Sequence, residues 1–152
     1  MVGAVVLIIT AGCSTPTVPD AQRSVSAGMT IRVIAPIEIP AGVGSVALST
    51  DRMQPGARYA PAHYRCELLL HGPRTQPSNI DAGTFTIMRT RTTADPIGLN
   101  LFRLTTRLDL SSATQTVVTG LSCSRSADGG FFAPIRVGEL QAAVGRHMAV
   151  ER

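Results

Sequence analysis

Histidines, carboxylates and cysteines are the side chains from which this chain of 152 residues could assemble reactive chemistry. Its three histidines, His63, His71 and His147, are isolated from one another in sequence. His63 and His71 fall at the two ends of one predicted strand, roughly 25 Å apart at about 3.3 Å per residue, so they cannot share a metal ion. Each therefore reads as a surface or hydrogen-bonded histidine. Asp95, Asp109, Asp128 and Glu139 show no spacing that would pair two carboxylates, and Asp128 belongs to a turn. The nearest approach to a nucleophile motif, Gly120-Leu121-Ser122-Cys123-Ser124, lacks the second glycine of a strand-to-helix elbow. Zinc-type spacing, a metalloprotease helix, a phosphate-cradling loop and a calcium loop are all absent from the sequence. No catalytic residue, metal or cofactor is expected. A hydrolase remains the alternative, and it would have to gather His63, a carboxylate and a serine from distant strands.

The basic residues offer binding rather than catalysis. All fourteen are arginine, set against ten acidic residues for a net charge of +4. They form no run, and aromatic residues make up only 4% of the chain, so nucleic-acid binding is not expected. Arg103 and Arg107 alternate with Phe102, Leu104 and Leu108, which places both on one solvent face with Thr105 between them. Such a pair can contact an anionic headgroup or glycan, because guanidinium forks match oxyanion geometry. The competing reading is that the two charges keep a sheet face soluble.

The elements that carry these residues read as strands. Alternating apolar positions mark 29–34, 45–49, 63–70, 84–91, 102–110 and 116–123. Prolines 36 and 40 confine 35–40 to a sheet edge. In 84–91, Arg89 keeps the parity of Phe85 and Ile87, so the strand is expected to leave the core there. Residues 50–61 and 71–79 read as loops. Asp128-Gly129-Gly130 should turn the chain into another strand over 131–137. Helical spacing appears only late, at Val137, Leu140, Ala143 and Val144, with Gly145 as its stop and a last strand over 147–151. The expectation is a mainly β domain, an antiparallel β-sandwich or partly open barrel with one short C-terminal helix.

The N-terminus supplies an address. Val5-Val6-Leu7-Ile8-Ile9 is far shorter than the ~20 residues of a membrane-spanning helix, and Ala11-Gly12-Cys13-Ser14 follows it. This resembles the processing site of bacterial lipoproteins, and the β-rich remainder is similar to small Gram-negative envelope lipoproteins. The resemblance implies that residues 1–12 are a signal peptide and that Cys13 becomes an acylated N-terminus. It further implies that Ser14 directs the protein to the outer membrane, facing the periplasm. The expected role there is non-enzymatic, binding or structural, with an envelope protein or glycan as partner; the alternative is a membrane-tethered hydrolase acting on envelope polymers. Thr10 stands where such signals carry an aliphatic residue, and no basic residue precedes Val5; translation is expected to begin upstream of Met1. Residues 13–28 then form a polar, proline-bearing tether, and 29–152 the domain. With Cys13 acylated, Cys66 and Cys123 remain. Both face inward on their strands, and an oxidising compartment would let them form a disulfide.

Overall fold

The computed structural model describes residues 19–48, 64–129 and 132–151; the leader, Cys13, the 50–61 loop, His63 and Phe131 lie outside these. The domain is mainly β. The strands are β1 (Thr30–Val33), β2 (Ile37–Ile39), β3 (Ser45–Ala47), β4 (Arg65–Leu70), β5 (Ser78–Ile80), β6 (Gly83–Gly98), β7 (Leu101–Ser111), β8 (Val118–Asp128) and β9 (Met148–Glu151). One helix, α1 (Val137–Val144), precedes the last strand.

Seven strands form one antiparallel sheet in the order β3-β4-β8-β7-β6-β1-β9, curled into a half-barrel, while β2 and β5 pair separately. Of the two architectures expected from sequence, the partly open barrel is the closer. Its inner face is built by strict alternation. Ile31 and Val33, Phe85 and Ile87, Leu108 and Leu110, Leu121 and Cys123, and Cys66, Leu68 and Leu70 are all buried. A strand's side chains alternate between faces, so these residues line one side while their neighbours face water. Ile37, Ile39 and Ile80 from the small sheet join the same core, as do Leu140 and Val144 of α1. Burying Phe85 or a leucine of this set removes its side chain from water at roughly 1.5–3 kcal/mol each.

Two irregularities decide which residues reach the outer face. In β6 the register slips between Ile87 and Arg89, where Met88 is the extra residue and is exposed. The bulge reverses the parity, so Arg89 pairs opposite Asp109 on the outer face instead of leaving the core face, and the strand continues to Gly98. Past Ile87, which still bonds Gly28 and Met29, the strand has no partner on that side among the described residues, and such an edge tolerates Pro96. In β8 a second shift, at Thr119, sets Val118 rather than Val117 on the inner face.

Two further expectations are corrected. Residues 78 and 79, read as loop, form β5 together with Ile80, because Ile80 gains burial by pairing with β2. Residues 132–135 hold no strand; β8 instead runs on through Asp128 alongside β7, and only Arg136 makes an isolated bridge, to Ser24. In the segment that carries Ser24, Asp20–Gln22 is a 3-10 turn and Val25 is buried. The Val25 N–H donates to the Ile135 carbonyl at 2.9 Å and the Val137 N–H to the Arg23 carbonyl at 2.8 Å. At the start of α1 the Arg136 N–H donates to Glu139 Oε2 at 2.8 Å, which satisfies a backbone donor the helix leaves open.

Candidate functional site: the arginine face of the sheet

Registers place the outer-face side chains of four strands in rows. Asp95, Arg103 and Ser126 form the first row, on β6, β7 and β8. Thr93, Thr105, Ser124 and Arg65 form the second, reaching β4. Arg91, Arg107, Ser122 and Glu67 form the third, and Arg89, Asp109, Gly120 and Leu69 the fourth. The face thus brings Arg65, Arg89 and Arg91 together with the expected pair, Arg103 and Arg107. Hydroxyl side chains fill its middle.

The charges on this face are unevenly paired. Asp109 accepts from Arg89 Nε at 2.8 Å and from Arg107 Nε at 3.2 Å. The Arg89 hydrogen bond comes first among the causes that hold its carboxyl below the usual aspartate range, with Arg107 adding to it. Glu67 accepts a hydrogen bond from Ser45 Oγ at 2.9 Å. Arg65, Arg91 and Arg103 make no ion pair among the described residues. Arg91 stands directly opposite Arg107, an arrangement that costs stability because like charges are held across adjacent strands.

The other residues singled out from sequence have structural roles. Cys66 and Cys123 form a disulfide between directly opposed positions of β4 and β8, with Cα atoms 4.1 Å apart. The Cys66 carbonyl accepts from the Leu48 N–H at 2.9 Å, on the side of β3. Its backbone groups therefore point away from β8, which makes Cys66 and Cys123 a non-hydrogen-bonded pair, the closer of the two antiparallel pair types. Gly120 is required by space, since a Cβ there would lie 2.7 Å from the Leu108 carbonyl oxygen. This accounts for the glycine of the incomplete elbow. Asp95 lies opposite Arg103, Asp128 opposite Leu101, and Glu139 bonds at the helix start. His71 is exposed at the end of β4 and His147 half-buried before β9. No group of three or more metal-ligating side chains occurs among the described residues. Cys13 and His63 lie outside them.

Two features escaped sequence reasoning. The first is the extent of the arginine face: alternation within 63–70 sets Arg65 and Glu67 on the face opposite Cys66 and Leu68, but only the strand order sets β4 beside β8 and β7. The second is on the inner face, where Tyr64 is buried with the Arg125 guanidinium 5.2 Å above its ring. Burial pushes the Tyr64 hydroxyl's pKa up, and the Arg125 charge opposes that shift. Tyr64 Oη, Arg125 Nε and Thr90 Oγ1 are buried with no hydrogen-bond partner among the described residues. Thr106 is buried as well, bonded to Thr92 at 3.1 Å.

Comparison with known proteins finds no matching family model, curated protein or solved structure. The geometry of the chain itself therefore carries the functional reading.

Proposed function

We propose that this is a lipid-anchored, non-enzymatic binding protein of a bacterial envelope. In this reading Cys13 is acylated and holds the domain at the periplasmic side of the outer membrane. The outer face of the β6-β7-β8-β4 sheet takes an anionic envelope partner. One observation carries the binding role: five arginines share one face, with Arg91 held opposite Arg107. A face needed only for solubility gains nothing from a like-charged cross-strand pair, whereas a bound anion relieves the repulsion and recovers its cost. The disulfide supports an oxidising compartment, and no helix among the described residues is long and apolar enough to cross a membrane.

Two measurements test the reading. Mass spectrometry of the N-terminal peptide from envelope-purified protein should find an acylated Cys13; an unmodified chain continuing N-terminal to Cys13 would overturn the anchor. Cross-linking on intact membranes should then capture a partner with the native protein and not with the R91Q/R103Q/R107Q variant. Equal capture by both would overturn the role of the face.

A further inference from the structure

We infer that the outer face holds a phosphomonoester group carried on a sugar, gripped by Arg65, Arg103 and Arg107 above the hydroxyls of Thr105 and Ser124. This rests on the binding role proposed above for the same face and names its ligand.

The registers fix the arrangement. Thr105 and Ser124 stand directly opposite each other on β7 and β8. Arg103 and Arg107 flank Thr105, two residues to either side, and Arg65 is opposite Ser124 on its far side. At about 3.3 Å per residue and 4.8 Å between strands, each arginine Cα lies about 7 Å from the midpoint of the hydroxyl pair. The three stand about 12 to 13 Å from one another on the same spacings. That radius is close to the reach of an arginine side chain. The three guanidiniums can therefore bend inward over one point on the convex face, and the two hydroxyls lie beneath it. Three charged forks around a hydroxyl floor match the peripheral oxygens of a tetrahedral phosphate group. All three arginines are exposed, as a ligand arriving from solvent requires. Arg65 and Arg103 make no ion pair among the described residues, whereas Arg107 binds Asp109 through Nε on the side away from Thr105 and must turn from it to reach the ligand.

The surroundings select the rest of the molecule. Asp95 lies opposite Arg103, and Glu67 follows Arg65 two residues along β4. These carboxylates repel additional negative charges on both flanks, so a discrete phosphate fits and an extended polyanion does not. Ser122 and Ser126 continue the hydroxyl shelf along β8, and such donors and acceptors match sugar hydroxyls. Among the described residues the exposed large apolar side chains are Ile34, Met88, Ile97, Leu99 and Phe132. None belongs to the four registered rows, whose large apolar side chain, Leu69, is half-buried, so the face offers acyl chains little contact and favours a sugar over a lipid as the phosphate's carrier.

Isothermal titration of the full chain at about 0.15 M salt tests this, because exposed electrostatics are largely screened there. The probes are glucose 6-phosphate, inorganic phosphate, glucose and phosphatidic acid vesicles. Saturable one-to-one binding of glucose 6-phosphate is expected, with inorganic phosphate weaker by about tenfold and glucose and vesicles not binding. R65Q and R103Q should each weaken binding by about tenfold or more, the loss of one charge-assisted contact. T105A is a second probe of the same floor and should weaken it less. The inference is overturned by absent saturation, by phosphate binding as tightly as glucose 6-phosphate, by vesicle binding alone, or by undiminished binding in R65Q and R103Q. Arginine-dependent capture from membranes together with no sugar-phosphate binding would sink this ligand and leave the binding role standing. Loss of both would sink both.

Discussion

Replacing Cys66 and Cys123 together by alanine should remove about 4 kcal/mol of stability. The disulfide closes a loop with a sequence separation of 57 residues. The loop-closure entropy for that length is about 14 cal/mol/K, or about 4 kcal/mol at 25 °C. For a domain of this size, with an unfolding entropy near 2.1 cal/mol/K per residue, that is a fall in Tm of about 15 °C. The two positions are directly opposed in register and fully buried, so alanines can keep the strand pairing while losing the cross-link. Urea unfolding followed by far-UV circular dichroism measures the loss, and reduction of the native protein should reproduce most of it. A change below about 1 kcal/mol in both experiments would refute the reasoning. It would mean that β4 and β8 are held by their packing alone and that the covalent link constrains little.

Other perturbations have separate causes. Gly120→Ala places a methyl group 2.7 Å from the Leu108 carbonyl oxygen. The backbones of β7 and β8 must shift to admit it, at about 1–3 kcal/mol by chemical denaturation; a neutral result would mean that the strands separate freely there. Phe85→Ala should cost about 3–5 kcal/mol, since the ring is fully buried in the core. Tyr64→Phe removes a buried hydroxyl that has no partner among the described residues; it should leave stability unchanged or raise it by about 1 kcal/mol, and a clear loss would point to a hydrogen bond of Tyr64 Oη. The pKa of Tyr64 is raised by burial, so its contribution to stability is complete below the unfolded tyrosine pKa and declines as pH rises through the folded value. Native protein should therefore lose stability at alkaline pH more steeply than Tyr64→Phe, measured by Tm against pH. The Asp109 pKa is lowered, so its contribution is present above the unfolded aspartate pKa and is lost as pH falls through the folded one. Asp109→Asn should flatten that acid limb.

The fold was legible where alternation is regular. β7 shows it best: Leu104, Leu108 and Leu110 are buried and Arg103 and Arg107 exposed, as their spacing requires. The disulfide pair could be chosen from the inward faces of two strands, although their direct opposition depends on a register that spacing alone does not set. Bulges hid the rest. Met88 inserts one residue into β6 and reverses the parity on which the placement of Arg89 depended, so a strand expected to end near 91 runs to Gly98. β5 carries one buried apolar residue, Ile80, too little for a pattern, and it exists because β2 supplies a partner. The arginine face was half legible for the same reason. Alternation assigns Arg103, Arg107 and Arg65 to polar faces, and only long-range pairing makes these one surface.

The central claim is that this shared face is the binding surface. Quantitative cross-linking on membranes measures it most directly, with native protein compared against R91Q/R103Q/R107Q and against Arg136→Gln, which lies outside the four rows. The expected result is one captured species, kept by Arg136→Gln and lost from the triple variant while its Tm stays within a few degrees of native. Capture that survives in the triple variant, or is lost equally from both, would contradict it.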